Sequence, residues 1–179
     1  MARALIIVDF QNDFTPGGAL AVPEGDAIAD RVNVLAASGD YDLVVATRDW
    51  HPPDHSSFAA QGGPWPVHCV AGTPGAELHP ALDRARVDVI VDKGQAVDTD
   101  GYSGFAGTDL ESLLRSRGIA DVTIVGLATD YCVKNTALDA LRAGFAVAVD
   151  ERAVRGVNVQ EGDAERALDD VRAAGAVIV

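Results

Sequence analysis

The sequence predicts an α/β fold in which a parallel β-sheet is covered by helices on both faces. Short runs of aliphatic and β-branched residues alternate with segments of helical periodicity along the 179 residues. No internal repeat or linker interrupts this alternation, which is typical of parallel sheets with crossover helices. The hydrophobic fraction of 48% and the charged fraction of 23% suit one globular domain. We therefore expect a single α/β domain over residues 1–179.

The strands are predicted from short apolar runs, which a sheet buried on both faces requires. The first run, ALIIV, is followed directly by Asp9, and polar residues at a strand end are where open α/β sheets place their sites. The six expected strands cover residues 4–8, 43–47, 87–91, 122–125, 145–149 and 176–179.

The helices are predicted from apolar residues at helical spacing. They are expected at residues 24–38, at 108–118, in a segment that begins around Cys132 and stops at Gly144, and at 161–174. Thr108 and Glu111 have the spacing of a capping box at the start of the second helix. Residues 52–80 lack periodicity. Such a long irregular segment is usually functional or disordered, and its aromatic and histidine content favours function.

Cys132 is the candidate nucleophile. It is expected in the first turn of a helix that follows a central strand, where free N–H groups and the helix dipole favour a thiolate. These effects can lower the cysteine pKa below its free value of about 8.5. A lone cysteine is also often a small buried hydrophobe, so this local pattern leaves the two interpretations evenly balanced.

Three chemically complementary side chains follow three predicted strands. Because the carboxyl ends of parallel strands share one edge, Asp9, Lys93 and Cys132 can converge there. Acyl transfer by cysteine needs a proton acceptor, a charge that stabilises the thiolate, and donors for the oxyanion. Asp9 suits the first role, Lys93 the second, and backbone N–H groups at residues 126–128 and at Cys132 the third. Alternatively, Asp9 only caps a turn and Lys93 forms a surface ion pair.

One carboxylate and three imidazoles form a second group, in a stretch of 20 residues. Asp49, His51, His55 and His68 offer mixed oxygen and nitrogen ligands, which suit zinc, iron(II) or manganese. Two prolines after His51 exclude a helical histidine pair, so we expect one divalent metal ion to be held by a loop region at about residues 49–80. The alternative is that these are ordinary surface histidines.

The charge of the chain excludes some partners. A net charge of −13 repels phosphate backbones and anionic lipid surfaces, so we expect no nucleic-acid and no membrane partner. Two cysteines, Cys69 and Cys132, cannot form a disulfide framework. The first apolar run ends at Asp9, too early for a signal peptide. We therefore expect a cytoplasmic protein with reduced thiols.

Six motifs carry a resemblance along nearly the whole chain. They are DFQNDF at 9–14, TRDWH at 47–51, PWPVHCVAGTPGAELHP at 64–80, DKG at 92–94, GYSGF at 101–105 and GLATDYCV at 126–133. Each is moderately specific, but their order and joint occurrence are highly specific. Together they closely resemble the nicotinamidase/pyrazinamidase family of isochorismatase-like cysteine hydrolases.

The resemblance implies a three-layer α/β/α sandwich around a six-stranded parallel sheet. It also implies hydrolysis of nicotinamide to nicotinate and ammonia through a cysteine thioester, with pyrazinamide as a further substrate. The expected context is NAD salvage, in a monomer or small homo-oligomer. The metal ion would hold the pyridine nitrogen of a small aromatic amide.

The resemblance also assigns residues by motif position. Cys132 would be the nucleophile, Asp9 the proton shuttle and Lys93 the third catalytic member. Ala128 and Cys132 would form the oxyanion hole, with the Leu127–Ala128 peptide bond in the cis form. The metal ligands would be Asp49, His51, His55 and His68, and the substrate-binding aromatic residues Phe14, Trp65 and Tyr102. Tyr131 departs from the pattern, because relatives have histidine before the nucleophile.

Two other functions remain open at this stage. One is a cysteine hydrolase of the same superfamily that cleaves a ureido or N-carbamoyl compound, although Trp65 and the histidines favour an aromatic ring. The other is a non-catalytic protein whose histidine loop binds a metal or a partner.

Overall fold

A computed structural model of the chain describes all residues from 1 to 179. Its centre is one sheet of six strands, and every neighbouring pair is parallel. The spatial order is β3-β2-β1-β4-β5-β6. The strands are β1 (Ala2–Val8), β2 (Leu43–Asp49), β3 (Val89–Lys93), β4 (Ile119–Leu127), β5 (Ala146–Arg155) and β6 (Val177–Ile178). The predicted six-stranded parallel sheet is confirmed.

Four α-helices connect the strands. They are α1 (Ala29–Ala37), α2 (Leu110–Ser116), α3 (Lys134–Arg142) and α4 (Asp163–Ala173). A 3₁₀ turn, Gly25–Ile28, leads into α1, and a π-helical turn, Thr129–Val133, leads into α3. None of the helices is both long enough and apolar enough to cross a membrane.

The sheet has a hydrophobic core on each face. On one face, Ile6 and Val45 pack in a cluster with Leu114 of α2, Ala137 of α3 and Val171 of α4. The opposite core is different, because only one α-helix contributes to it.

On that opposite face, Leu5 and Ile7 pack with Val32 of α1 and with residues of the irregular segment 52–80, including Cys69 and Leu78. This segment holds only short 3₁₀ turns. The three-layer architecture is therefore present, with part of one layer built from loop.

Four strands run further at their carboxyl ends than the apolar runs predicted, and two of these strands end in candidate site residues. β2 continues to Asp49 and β3 to Lys93, and these two residues are register partners. Their side chains face each other across neighbouring strands, so their opposite charges attract. Apolar patterning misses such strand ends, because the terminal residues are charged yet buried.

The predicted capping box is wrong. α2 begins at Leu110, and Asp109 precedes it without a side-chain capping bond. Thr108 accepts a hydrogen bond from the Leu110 N–H at 3.3 Å, while Glu111 pairs with Arg115 at 2.8 Å one turn later. Glu111 therefore supports the helix interior rather than its first turn.

Candidate active site

The ammonium of Lys93 lies at the centre of the site. Its side chain is completely buried, and its Nζ lies 2.8 Å from Asp9 Oδ2 and 2.6 Å from Asp49 Oδ1. The same Nζ donates to the Gly101 carbonyl at 2.7 Å and to the Cys132 Sγ at 3.4 Å. The structure therefore brings together the three residues that the sequence placed at separate strand ends.

Burial sets the protonation of Cys132, the candidate nucleophile. It raises the pKa of the Cys132 thiol well above its ordinary value, and the opposing influence of Lys93 does not compensate. The position of Cys132 near a helix terminus predicted a lowered pKa. That prediction is wrong, because the desolvation of the sulfur and the two nearby carboxylates outweigh the favourable charges. Cys132 is thus a neutral thiol in this structure, and it needs a base.

A buried carboxylate is available as that base. The ligand atoms of Asp9, Asp49 and Cys132 lie within 4.8 Å of one another. Burial raises the pKa of Asp9, although Lys93 acts against this rise. A carboxylate with a raised pKa accepts a proton more readily than an ordinary aspartate, which suits a general base.

Asp49 differs from Asp9 in its ionisation. Burial alone would raise its pKa, but Lys93 and His51 outweigh burial and hold the pKa below the usual range. Conversely, burial alone would lower the pKa of Lys93, and the two carboxylates hold it well above its ordinary value. Asp49 is therefore a permanent anion that faces both the ammonium and the histidines.

Three of the predicted metal ligands form a compact group. The ligand atoms of Asp49, His51 and His68 lie within 4.8 Å of one another. The Nδ1 of His51 bonds to the Gly94 carbonyl at 2.7 Å, and the Nδ1 of His68 to the Pro66 carbonyl at 2.8 Å. Such bonds fix each ring with its Nε2 directed towards Asp49 Oδ2, which lies 3.2 Å from His51 and 3.9 Å from His68, so that all three can coordinate one cation.

The fourth predicted ligand lies beside this group but not in it. The His55 ring stacks on His51 with 3.9 Å between centroids, and its Nδ1 lies 2.7 Å from the Ser57 hydroxyl. Its Nε2 is buried and has no partner. Burial and His51 lower the pKa of His55 to about 4, so the ring is neutral. An unpartnered buried nitrogen next to two histidines and an anion fits a site for a divalent metal ion.

A cavity of about 420 Å³, including its open mouth, lies against these groups. Among the predicted residues, its lining includes Phe14, Asp49, His51, Trp65, His68, Tyr102, Ala128 and Cys132. The lining also includes residues that the sequence did not single out as binding residues, namely Leu20, Ser57, Asp100, Tyr131 and Val157.

One wall of the cavity is a cluster of three aromatic rings. The Trp65 Nε1 donates to the Tyr102 hydroxyl at 3.1 Å, and Tyr131 contacts both rings, with centroids 4.9 and 5.5 Å away. Phe14 lies elsewhere in the lining, tilted against His68 at 5.6 Å. Tyr131, the position that departs from the expected pattern, is therefore part of the wall.

The end of β4, just before the turn that carries Cys132, requires a glycine. Gly126 has a φ of +115°, and a Cβ there would collide with the backbone of Val8. The peptide bond between Leu127 and Ala128 is cis, as the resemblance implies. Ala128, which directly precedes the π-helical turn, and Cys132, which lies within it, both line the cavity.

Comparison with known proteins now identifies the family. A profile of the isochorismatase domain matches residues 3–179. The chain belongs to the isochorismatase family. This match and the relatives described next confirm the resemblance on which the residue assignments rest.

Relatives and solved structures of this isochorismatase-family chain share its whole length. The nicotinamidase/pyrazinamidase of Mycobacterium tuberculosis is 46% identical over 186 residues, covering 99% of this chain and 98% of that protein. The crystal structure of Pyrococcus horikoshii pyrazinamidase in complex with zinc is 49% identical, with a TM-score of 0.92 over 100% and 99% of the two chains. PnC1 from L. infantum in complex with nicotinate is 38% identical, with a TM-score of 0.94 over 99% and 92%.

Two buried side chains that organise this isochorismatase-family site were missed in the sequence. The Gln11 amide brackets the backbone of Asp49, donating to its carbonyl at 2.9 Å and accepting from its N–H at 2.8 Å. The Thr47 hydroxyl donates to Asp9 at 2.7 Å. Gln11 lies in the motif DFQNDF and Thr47 in the motif TRDWH. Both are polar residues close to the ends of buried strands, and this polarity could have indicated their role in the sequence.

A third missed residue connects the nucleophile turn to the cavity wall. The Asp130 carboxylate accepts hydrogen bonds from the N–H groups of Val157 at 2.9 Å and Asn158 at 2.8 Å. Val157 lines the cavity. Asp130 therefore holds the loop after β5 against the turn that carries Cys132.

Proposed function

We propose that this isochorismatase-family protein is a nicotinamidase, which hydrolyses nicotinamide to nicotinate and ammonia and also accepts pyrazinamide. The observation that carries the proposal is the contact of one buried ammonium with Asp9, Asp49 and Cys132. This contact lies beside a histidine cluster and an aromatic-lined cavity. Full-length similarity to a nicotinamidase/pyrazinamidase supports it.

The first step forms a thioester. The Cys132 thiol passes its proton to Asp9, and the sulfur attacks the carboxamide carbon of the substrate. Lys93 stays protonated, and its charge stabilises the thiolate at 3.4 Å. Backbone N–H groups of Ala128 and Cys132 would donate to the oxyanion. The C–N bond then breaks as Asp9 returns the proton to the leaving nitrogen, which departs as ammonia.

The second step consumes one water molecule. Asp9, again ionised, takes a proton from water, and the resulting hydroxide attacks the thioester carbonyl. The C–S bond breaks, and Asp9 returns its proton to the sulfur of Cys132, while the acid product loses its own proton to solvent and leaves as nicotinate. One carboxylate therefore serves twice as base and twice as acid, which its buried position next to an ammonium allows.

The histidine group gives the ring of the substrate a binding partner. Asp49, His51 and His68, with the buried Nε2 of His55, would hold one divalent ion. When bound, this ion supplies a Lewis acid for the ring nitrogen of the substrate. Zinc, iron and manganese all suit these ligands, and the zinc complex of the Pyrococcus horikoshii enzyme favours zinc.

The aromatic residues would orient the substrate ring. Phe14, Trp65 and Tyr102 line the cavity, and a flat neutral ring packs well against aromatic faces. The alternative substrates are linear ureido or N-carbamoyl compounds, and they would have no ring to pack against these aromatic side chains. We also infer a cytoplasmic enzyme, because both cysteines are buried and free.

Ammonia release from nicotinamide tests the proposal. Cys132→Ala and Lys93→Ala should each lower kcat by about a thousandfold or more, as removal of covalent-catalysis residues does. Cys69→Ala is the matched control. Cys69 is also a buried thiol, but it lines the opposite core and should leave kcat nearly unchanged.

The same preparation should be offered an N-carbamoyl amino acid. Turnover of nicotinamide at the wild-type rate by Cys132→Ala would remove this residue from its role. Faster cleavage of the N-carbamoyl compound than of nicotinamide would transfer the proposal to the ureido class.

A further inference from the structure

Thr47 and Asp9 form a closed set of hydrogen bonds where β1 and β2 end. The Asp9 N–H donates to the Thr47 carbonyl at 3.1 Å and to the Thr47 hydroxyl at 3.3 Å. That hydroxyl in turn donates to Asp9 Oδ1 at 2.7 Å. Both residues are completely buried. Because the hydroxyl oxygen receives the N–H, its own hydrogen is directed to the carboxylate.

The two oxygens of the Asp9 carboxylate are therefore not equivalent. Oδ1 is engaged by Thr47. Oδ2 is buried and accepts no hydrogen bond of good geometry, although the Lys93 Nζ is 2.8 Å away. Asp9 also has a carboxylate oxygen within 4.8 Å of the Cys132 sulfur. Oδ2 has only the Lys93 ammonium beside it, whereas Oδ1 already accepts a hydroxyl hydrogen, so Oδ2 is the oxygen that is better placed to accept a proton.

We propose that Thr47 is a positioning residue for the thioester reaction, because its hydroxyl holds the Asp9 carboxylate with Oδ2 directed at the Cys132 thiol. This inference rests on the proposed amidase function. Oδ2 accepts the thiol proton, gives it to the leaving nitrogen, accepts a proton again from water, and returns that proton to the sulfur. Thr47 does not line the cavity, and the hydrogen bonds of its side chain are with Asp9, so it acts through Asp9.

The reason for such a device lies in the neighbouring ammonium. A carboxylate torsion is soft, since this terminal bond has broad, twofold preferences. Without the Thr47 hydroxyl, the Asp9 carboxylate can rotate so that Lys93 engages both oxygens. The proton acceptor then turns away from the sulfur. Each proton transfer by Asp9 slows, whereas the substrate still meets the same aromatic wall and histidines.

Position 47 offers a matched pair of variants. Thr47→Val keeps the size of the side chain, including the methyl group that faces Gly104, and removes only the hydroxyl. Thr47→Ser keeps the hydroxyl and removes only the methyl group. If the hydroxyl positions Asp9, Thr47→Ser should be more active than Thr47→Val. If only the methyl group matters, Thr47→Val should be the more active variant.

The test measures kcat and KM for nicotinamide with the metal-loaded enzymes. We expect Thr47→Val to lower kcat by about 10- to 100-fold, a part of the factor of roughly 10²–10⁴ that general acid–base catalysis supplies. KM should stay within about twofold, since the ring-binding residues are untouched. Thr47→Ser should retain at least about a third of the wild-type kcat.

The inference would be overturned if Thr47→Val had the kcat of the wild type. It would also be overturned if Thr47→Ser lost more kcat than Thr47→Val. A rise in KM without a change in kcat would do the same. If Thr47→Val does not fold, Thr47→Cys replaces it. Cysteine differs from serine only in having sulfur in place of oxygen, and its thiol is a weaker hydrogen-bond donor than the serine hydroxyl. The kcat of Thr47→Cys should then fall below that of Thr47→Ser, and equality of the two would overturn the inference. Wild-type turnover of nicotinamide tests the proposed function separately.

Discussion

Replacing Lys93 with methionine keeps the length of the side chain and removes the ammonium that Asp9 and Asp49 share. The Nζ lies 2.8 and 2.6 Å from these carboxylates, so each contact corresponds to about 6 kcal/mol of Coulomb energy at an effective dielectric constant of 20. The net loss is smaller, because one carboxylate can take up a proton instead. Protonating an aspartate with an ordinary pKa of about 3.9 costs about 4 kcal/mol at pH 7 and about 1.5 kcal/mol at pH 5.

The pH dependence has a definite sign. Above about pH 4 the folded variant holds one proton more than the unfolded chain, so its free energy of unfolding falls by about 1.4 kcal/mol per pH unit. In the wild type, burial raises the pKa of Asp49, but Lys93 and His51 outweigh burial and hold it below the usual range. That contribution to stability is present above about pH 4 and is lost only as the pH falls.

The gap in unfolding free energy between wild type and Lys93→Met should therefore widen from pH 5 to pH 7, by as much as about 3 kcal/mol. Urea unfolding of the metal-free proteins at pH 5, 6 and 7 measures it. Lys134→Met is the control, because this lysine pairs with the exposed Asp170 and should change stability by less than about 1 kcal/mol at each pH. The same Lys93→Met loss at all three pH values would refute the reasoning.

Three further predictions concern residues that support the site and the candidate metal ligands. Gln11→Leu removes the amide that holds the backbone of Asp49, so the affinity for the metal ion should fall about 10- to 100-fold. Competition with a chelator measures this affinity. The control is Gln61→Leu, because Gln61 lies at the surface. Gly126→Ala should lower the free energy of unfolding by more than about 3 kcal/mol, because its Cβ meets the backbone of β1 at a positive φ. Gly118→Ala has open space and should cost about 1 kcal/mol in the same urea titration. Stripping the metal should abolish nicotinamide turnover, and zinc, iron(II) or manganese should restore it. The first prediction is contradicted if Gln11→Leu binds the metal as tightly as the wild type. The second is contradicted if the two glycine variants lose the same unfolding free energy, and the third if the metal-free enzyme turns over nicotinamide at the full rate.

The strands were predictable wherever burial and apolarity coincide. All six were found from their apolar runs, and the errors lie at the ends. β5 was expected to stop at Val149, but it continues to Arg155. A shift in its register against β4, between Ile124 and Gly126, lets Val154 and Arg155 pair after an irregular step. A change of register depends on the neighbouring strand, so local sequence does not disclose it.

The convergence of the reactive residues was also predictable, because parallel strand ends share one edge. The roles of Thr47, Gln11 and Asp130 were not, because each acts on a group distant in sequence. Thr47 and Gln11 reach residues 38 positions away, and Asp130 reaches Val157 27 positions away. Hydrogen bonds of this kind exist only once the strands and loops are in place. The direction of the Cys132 pKa failed for the same reason, since desolvation is a property of the finished fold.

The segment that carries His55 and His68 also closes one face of the hydrophobic core, through Cys69 and Leu78. Loops at the rim of α/β enzymes usually change length freely, because only substrate contacts them. Here an insertion near the ligands would also expose the sheet beneath. Variation in this segment is therefore easiest at its outer bends, such as those at Gly62 and Gly72, where the structure leaves open space beside the backbone.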